Sequence, residues 1–308
     1  MASSIGPLPR AHHFTPQCWL AGFTEGGDKN GRLWVTDLKR RKQWVSNPRN
    51  AGHRRDFYRV SDPQCDPVAF EKVFGKIETA IAPLLKTLDQ EQRAPRRHEL
   101  ESLLTFMAIQ WMRVPAFRPT ILRIADSIHR SWFSKALSSP DSWAAAFEEV
   151  GVSAEAPGAD YDGMLAFERS GQYSLSAEPE WYLERGFKAA DHIVPLLEAR
   201  HWTASISTSG SFIGSDNPVA MDGTKGQDIG FKSAEVVLFP VSRHILLYGT
   251  NAPVVPMNVS LKRVAEHNTL IMLNADEQVY SHVPDFCWLD ETRTYQTEWS
   301  LFSKEKFQ

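Results

Sequence analysis

The sequence predicts an α+β protein, in which a helical middle region is flanked by N- and C-terminal β segments that pair into one mainly antiparallel sheet. Apolar residues recur with a helical period between residues 66 and 200, whereas residues 32–46 and 201–248 contain short β-prone runs separated by turn residues. The 308-residue chain is 42% hydrophobic and 23% charged, which is enough for a large core without disulfides or metals. We expect one domain over residues 1–308, because such blocks pack around a common core.

The first of four predicted segments is rich in strands and in basic residues. Residues 32–37 are predicted as a strand whose hairpin partner, residues 43–46, follows a turn. Residues 1–60 contain eleven Lys and Arg against four Asp and Glu, a surplus able to bind a phosphate backbone. The alternative is a solvated hairpin that neutralises acidic helices elsewhere. The segments are a β-rich basic segment (1–60), a helical segment (66–200), a β-rich segment with a C-terminal helix (201–285) and a tail (286–308).

Prolines divide the helical segment into its elements. The pair Asp66-Pro67 can start the first helix, and Pro115 ends the second. Pro119 begins the third helix. Residues 151–177, rich in Gly, Ala, Ser and Glu, are predicted as a loop. The helices after the first are expected over residues 98–114, 119–137, 141–150 and 178–200.

Strand-like patterns return after residue 201. Ser209-Gly210 marks a turn, which predicts a hairpin between residues 202–207 and 211–214. Residues 275–281 are predicted as a further helical turn. The remaining elements expected here are strands at 234–240 and 244–248, a polar loop at 222–231 and a helix at 258–273.

Cysteine usage and the N-terminal sequence predict a cytoplasmic protein that does not associate with membranes. The cysteines Cys18, Cys65 and Cys287 are odd in number and far apart, as is typical of reduced thiols. The N-terminus lacks the apolar core of a signal peptide, and no apolar run is long enough to span a bilayer. Phosphate-loop, dinucleotide-fingerprint, zinc-protease and nucleophile-elbow motifs are absent from the sequence, which argues against those enzyme classes.

The turn Ser215-Asp216-Asn217-Pro218 is the first candidate site. Asp216 can activate a water or hold a divalent metal such as Mg or Mn, and Asn217 can donate to an oxyanion or a phosphate. Ser215 is expected to contribute to substrate binding. The alternative is structural, because Asp and Asn side chains often close their own backbone turns and Pro218 fixes the exit.

The adjacent histidines His12 and His13 form the second candidate site. If the two ends of the chain pair, these histidines can lie beside Asp216. Only one of them faces a cleft, because neighbours on an extended chain point to opposite sides. That imidazole could act as a general base or a metal ligand. The alternative is that one ring packs in the core and the other bonds a backbone carbonyl. The expected catalytic set is His12, His13, Asp216 and Asn217.

A pair of carboxylates and an arginine form the third candidate site. Glu71 and Glu78 share a face of the first helix, and a carboxylate facing the core is costly unless it is paired. Arg113 and Arg118, on either side of Pro115, are the natural partners. Either a buried Glu–Arg pair locks two helices together, or Glu78 serves as a metal ligand or a base and Arg113 binds the substrate anion. Tyr58 could bind substrate through its phenol, or anchor the core.

Short motifs in a fixed order carry a resemblance to a known family. They are His12-His13-Phe14-x-Pro16, Asp56-Phe57-Tyr58, Glu71, Glu78, Gln110-x-x-Arg113-x-Pro115-x-x-Arg118 and Ile213-x-Ser215-Asp216-Asn217-Pro218. This pattern resembles the bacterial family called domain of unknown function 4238, over residues 12–285. The resemblance implies a bacterial cytoplasmic protein, with some relatives associated with phage defence. It implies no particular reaction.

Two functional hypotheses follow. The first is a nuclease-like hydrolase of phosphodiester or other phosphate-bearing substrates, in which His12 or His13 and Asp216 activate water, with Glu78 and Asp216 as ligands of any metal. Arg113 and the basic hairpin would then hold a nucleic acid or a nucleotide. The second is a non-catalytic sensor or binding module that docks nucleic acid or a phage protein.

Overall fold

The computed structural model describes residues 9–149, 151, 160–223, 230–254 and 259–307. It confirms the α+β class, with about 47% helix, 17% strand and a helical middle between antiparallel strands. In the described ranges every helix is too short or too polar to traverse a lipid bilayer.

Strands occupy both ends of the chain and helices fill the middle. The helices are α1 Gln17–Leu20, α2 Ala69–Glu91, α3 Arg97–Arg113, α4 Phe117–Ala136, α5 Pro140–Glu149, α6 Tyr161–Ser170, α7 Pro179–Glu198 and α8 Leu261–Asn274. The N-terminal strands are β1 Ala11–His13, β2 Leu33–Asp37, β3 Lys42–Ser46 and β4 His53–Arg55. The C-terminal strands are β5 His201–Ile206, β6 Gly214–Ser215, β7 Ala220–Asp222, β8 Val236–Pro240, β9 Ile245–Thr250, β10 Gln278–Ser281, β11 Trp288–Leu289 and β12 Tyr295–Gln296.

The strands divide among four antiparallel sheets, where a single sheet was predicted. The two ends of the chain meet in a four-stranded sheet with the order β3-β2-β10-β6. A second four-stranded sheet has the order β5-β9-β8-β7 and contains only C-terminal strands. The pairs β1-β4 and β11-β12 form two small sheets. The prediction that the two ends of the chain pair is therefore confirmed. His12 and His13, however, lie in the separate two-stranded sheet β1-β4.

Alternating side chains of the larger sheets face two apolar cores. On β8, Val237 and Phe239 join a core formed with α1, α2, α3 and α7, whereas Leu238 joins a second core around α8. On β9, Leu247 and Leu246 divide in the same way. The period of two along each strand places these neighbours on opposite faces, so the sheet separates the two cores.

Two compact units are defined by contacts within the chain. One unit comprises residues 1–117 and 179–308 and holds both apolar cores and all the strands. The other comprises residues 118–178 and is helical. Its own small core includes the buried side chains of Leu137 and Trp143.

Three local predictions need correction. Residues 211–214 do not form a hairpin with β5, because β5 pairs with β9 and Gly214 pairs with Tyr280. Residues 278–281 form strand β10 instead of a helical turn, because β2 and β6 offer free edges on both sides. Helix α6 lies within the predicted loop of residues 151–177, and residues 152–159 of that loop lie outside the described ranges.

At Gly214, strand β6 packs directly against residues from the N-terminal end of the chain. A Cβ at this position would lie 2.7 Å from Cη2 of Trp19 and 3.1 Å from Cε2 of Phe23. Trp19 is fully buried, and its indole N–H donates to the carbonyl of Pro240 at 2.8 Å. The indole therefore has little freedom to move away.

We expect Gly214→Ala to lower the free energy of unfolding by about 1–3 kcal/mol, because the new methyl group overpacks a fixed indole. The matched control is Gly75→Ala in α2, where no atom lies within 4 Å of the new Cβ. That change should raise stability by up to about 1 kcal/mol, since alanine is the better helix former. Urea denaturation of the three proteins measures both effects. Equal midpoints for Gly214→Ala and the wild type would contradict the proposed contact.

Candidate functional site

The predicted site residues fall into two groups. The first, called here the Arg113 cluster, contains Arg113, Glu78 and Glu71 together with the N-terminal histidines and Tyr58. The second, called the Asp216 turn, contains Ser215, Asp216 and Asn217. Each group is held by a different part of the fold.

Arg113 is the centre of the first group. It is the last residue of α3 and is 1% exposed, so its charge needs partners within the protein. Its guanidinium lies 2.9 Å from a carboxylate oxygen of Glu78 and also donates to the carbonyl of His13. The ring of Phe74 lies 4.2 Å from the guanidinium carbon, an arrangement that suits a cation–π contact. Arg113 therefore connects α2, α3 and β1.

His12 has a structural position in this cluster. Its ring is fully buried, and Nδ1 accepts a hydrogen bond of 2.8 Å from the backbone N–H of Tyr58. Nε2 lies 3.3 Å from the carbonyl oxygen of Pro9. Burial lowers the pKa of His12, which favours the neutral ring that this donor–acceptor pattern requires. Tyr58 in turn donates its phenolic O–H to the backbone carbonyl of Arg113.

His13 points away from His12 and is half-buried. Its Nε2 lies 3.1 Å from the carbonyl oxygen of Arg49, and its ring lies 5.2 Å from that of His53. Burial lowers the pKa of His13 to about 4, with smaller contributions from His53 and Arg113. The ring is therefore neutral at pH 7, and it is the one of the two histidines that is reachable from solvent. That this ring faces a cleft, as the alternation along an extended chain suggests for one of the two histidines, stays a prediction.

Glu71 also has a strongly perturbed environment in this cluster. It is half-buried on α2, and its buried Oε1 has no hydrogen-bond partner in the described part of the chain. Burial raises the pKa of Glu71 to about 7, because the loss of solvation outweighs the opposing effect of Arg113, and Glu78 adds repulsion. The sequence indicated Glu71 only as a structural partner of Arg113. The spacing of Glu71 and Glu78 indicates that both lie on one face of α2. Whether Oε1 of Glu71 has a hydrogen-bond partner depends on the tertiary packing, which this spacing does not show.

Gln110 is a further polar residue that sequence reasoning did not assign to the site. It is fully buried one turn before Arg113, and neither its amide nitrogen nor its amide oxygen is bonded within the described ranges. Nε of Arg113 is also unpartnered there. The spacing of three residues places both side chains on one face of α3. The motif Gln110-x-x-Arg113 is the sequence signal for this buried polar pair, because two polar residues interrupt an otherwise apolar helix face.

The Asp216 turn fastens the connection between α8 and β10. The carboxylate of Asp216 accepts three backbone N–H bonds, from Asp276 at 2.8 Å, Glu277 at 2.7 Å and Gln278 at 2.9 Å. Burial raises the pKa of Asp216 to about 6, while the three amide donors act in the opposite direction. The carboxylate therefore closes a backbone connection, which is the structural alternative for this turn.

Ser215 and Asn217 complete the same turn. The hydroxyl of Ser215 donates to the carbonyl of Asn217 at 2.8 Å. The amide nitrogen of Asn217 donates to the carbonyl of Asn274 at 3.0 Å, which ties the turn to the end of α8. These bonds occupy the groups that were predicted to bind an oxyanion or a phosphate.

No direct bond connects the histidines to the Asp216 turn. Among the described residues no hydrogen bond, ion pair or ring contact joins His12 or His13 to Asp216. Where the ends of the chain meet, Trp19 and Phe23 pack against Gly214, and Tyr280 pairs with it; all three side chains are fully buried. A pocket shared by an imidazole and Asp216 stays a prediction.

The predicted metal ligands Glu78 and Asp216 lie in different groups. Glu78 is paired with Arg113, and Asp216 is bonded by three amides. In the ranges that the structure describes, no three or more His, Cys, Asp or Glu side chains are arranged so that they could hold a metal ion. These two carboxylates thus do not fit a shared metal.

The fold and the site define an α+β protein with a buried arginine–glutamate pair and a half-buried, raised-pKa glutamate beside it. The chain belongs to the family described as Protein of unknown function (DUF4238), whose model matches residues 11–285. Both site groups lie inside the matched range, whereas β11, β12 and the remainder of the tail lie beyond it. No curated protein and no solved structure matches the chain.

We expect Asp216→Asn to lower the free energy of unfolding by about 2–4 kcal/mol, because a carboxamide offers one oxygen to three buried amide donors. The matched control is Asp191→Asn on α7, where the carboxylate is exposed. That change should alter stability by less than about 0.5 kcal/mol. Urea denaturation at pH 7 measures both. Unchanged stability in Asp216→Asn would show that the carboxylate does not fasten this connection.

Proposed function

We propose that this protein is a nuclease-like hydrolase of phosphodiester or other phosphate-bearing substrates, with Glu71 as the general base. The observation that carries the proposal is the environment of Glu71. A half-buried carboxyl group with a pKa of about 7, and with one oxygen unpaired among the residues that the structure describes, is poised to exchange a proton near neutral pH. Groups perturbed in this way by burial and a neighbouring charge are common at catalytic sites.

The Arg113 cluster supplies the chemistry in this proposal. The carboxylate of Glu71 accepts a proton from a water molecule, and the water oxygen attacks phosphorus. The bond to the leaving oxygen then breaks, and the proton on Glu71 passes to that oxygen, which restores the carboxylate. Arg113 is a positioning residue, because its guanidinium holds Glu78 and the His13 carbonyl and lies beside Glu71. The neutral ring of His13 can bind substrate from the solvent side.

The basic N-terminal segment supports a phosphate-bearing substrate. Arg49, whose carbonyl oxygen lies 3.1 Å from Nε2 of His13, is exposed. Arg54 lies over the rings of Phe14 and Phe57, at 5.7 and 5.9 Å, and is 44% exposed. Cations held at this position attract and orient an anion beside the Arg113 cluster.

A second candidate function is a non-catalytic binding module that docks nucleic acid or a phage protein. One observation favours it. Trp44 on the edge strand β3 is 40% exposed, next to the basic hairpin of residues 39–42. An exposed indole among cations is the combination that stacks on unpaired bases while holding a phosphate backbone. The resemblance to a family with members associated with phage defence suggests such a setting for either function.

The first test is Glu71→Gln with a phosphodiester such as bis(p-nitrophenyl) phosphate, DNA or RNA, each with Mg²⁺, with Mn²⁺ and with a chelator. We expect the variant to lose at least about 100-fold in kcat/KM, the size of a general-base contribution. Glu184→Gln on the exposed face of α7 is the control and should retain full activity. If the wild-type protein hydrolyses none of these substrates, the hydrolase proposal is wrong and the binding module is the remaining candidate.

We expect Glu71→Gln, which lowers activity, to raise the stability of the fold at high pH. The raised pKa of Glu71 means that the folded state holds this proton more tightly than the unfolded state. Its contribution is present below about pH 4.5 and is lost as the pH rises through about 7. We therefore expect Glu71→Gln to be more stable than the wild type by about 1–3 kcal/mol at pH 8, and nearly equal to it at pH 4.5.

Thermal unfolding measured across this pH range in both proteins tests this expectation. A variant that loses stability at pH 8 would show that Glu71 forms a favourable ion pair, and would count against its role as base.

A further inference from the structure

His267 on α8 is a buried histidine that the Arg113 cluster does not use. It is 5% exposed, and its ring lies 6.0 Å from that of Phe212 and 5.6 Å from that of Tyr248. Neither ring nitrogen has a hydrogen-bond partner in the part of the chain described. Burial, with a smaller effect of Arg263, lowers the pKa of His267 to about 4, so the ring is neutral at pH 7. Leaving both nitrogens unsatisfied is costly, which points to a water or a ligand as the missing partner.

Two cavities meet at His267. The smaller, of about 30 Å³, is also lined by Thr203, Ser205 and Tyr248. It has room for one water that would bond to these hydroxyl groups and to one ring nitrogen. The larger, of about 650 Å³, has a volume typical of small-molecule sites. Tyr248, Arg263 and His267 line both cavities.

The face of α8 that lines the larger cavity changes from polar to apolar along its length. Arg263 and His267 are one turn apart at one end, and Leu270 and Leu273 follow on the same face. Ten residues of helix span about 15 Å, so the two ends are well separated. The polar end is rich in hydrogen-bond donors, and the apolar end offers leucine side chains. A ligand that fits this face has an acceptor-rich head and an apolar body.

The charges at the cavity favour an anionic head at the Arg263 end. Arg263 is paired with Glu266 at 3.0 Å through Nη1, and within the described residues its other guanidinium N–H groups remain available to a ligand. Arg293 also approaches Glu266, at 3.9 Å, and is 77% exposed. Four carboxylates line the cavity. Glu266 lies near Arg263 and Arg293, Asp290 accepts hydrogen bonds from the backbone N–H groups of Thr292 and Thr294, and Asp222 and Glu291 are exposed to solvent, where screening weakens their repulsion of an anion. Lys306 adds a third cation to the lining.

The tail of the chain supplies the opposite wall. Leu289 and Phe307 line the apolar part of the cavity, and both lie beyond residue 285, where the family match ends. The buried ring of Phe302 lies 5.4 Å from that of Trp288 and 5.7 Å from that of Phe307, so this wall is anchored in the core around α8. The cavity is therefore built partly from residues outside the family match.

We propose that this cavity binds a medium-chain monocarboxylic acid, with the carboxylate on Arg263 and His267 and the alkyl chain along Leu270, Leu273, Leu289 and Phe307. The carboxylate accepts from the guanidinium and from one imidazole N–H, while the chain covers the apolar walls. The Arg113 cluster shares no residue with this site, so this inference does not depend on the proposed hydrolase.

The test is calorimetric titration of the full chain with dodecanoate, at concentrations below micelle formation. We expect saturable binding of one molecule, at least tenfold weaker in Arg263→Met and partly retained in Arg263→Lys. Lys262→Met is the matched control, because it removes the same charge from the neighbouring exposed position of α8 and should bind as the wild type does. Dodecanol, which lacks the charge, should bind at least tenfold more weakly. Decanoate should bind about tenfold more weakly than dodecanoate, because two methylene groups are lost.

A spectroscopic readout separates this site from general detergent binding. The NMR signal of the His267 ring, assigned by its loss in His267→Gln, should report a higher imidazole pKa when dodecanoate is bound. A nearby carboxylate favours the charged ring, against the effects of burial and of Arg263. Three results would each overturn the proposal. They are the absence of saturable binding, equal affinity in the wild type and in Arg263→Met, and binding that leaves the titration of His267 unchanged.

Discussion

The buried charge of Arg113 is the constraint on which the site depends. A guanidinium cannot lose its proton in a protein, so burying it requires acceptors that are already in place. Glu78 supplies a carboxylate, β1 supplies the carbonyl of His13, and Phe74 offers the face of its ring. Two consecutive helices, α2 and α3, and the N-terminal strand β1 are thereby held at fixed positions around one cation.

The consequences extend outward from Arg113 through its neighbours. Its backbone carbonyl, left free at the end of α3, is bonded by Tyr58, whose own N–H is bonded by His12. These satisfied groups account for the burial of His12. The same packing leaves Glu71 near the positive charge of Arg113, and no group in the described ranges bonds its Oε1. Burial without a full set of partners favours the neutral form of a carboxyl group and so raises its pKa. Glu71 is such a group, and its pKa is raised to about 7.

The Asp216 turn shows that a similar set of residues can serve packing alone. Three amide donors converge on its carboxylate where the chain leaves α8 and enters β10. Without an acceptor these N–H groups would be buried and unpaired. The carboxylate of Asp216 therefore fixes the backbone of the connection between α8 and β10. Because β10 pairs with both β2 and β6, the turn also fixes how the two ends of the chain join. The residue types of this turn resemble those of the proposed site, and only their bonding partners distinguish the two groups.

The sequence by itself determined the elements with strong periodicity and the residues that must be paired. Strand β2 with its partner β3, helix α3 with its end before Pro115, and the Arg113–Glu78 pair all follow from local pattern and the cost of burying charge. The tertiary structure decided which secondary structure the short segments adopt and which partners the polar side chains bond. Residues 278–281 became a strand because two edges were available to it, and Asp216 accepts three backbone amides of the connection that enters β10. The physical reason is that hydrogen-bond partners and solvation arise from contacts between distant residues, and a linear pattern of residue types does not contain them.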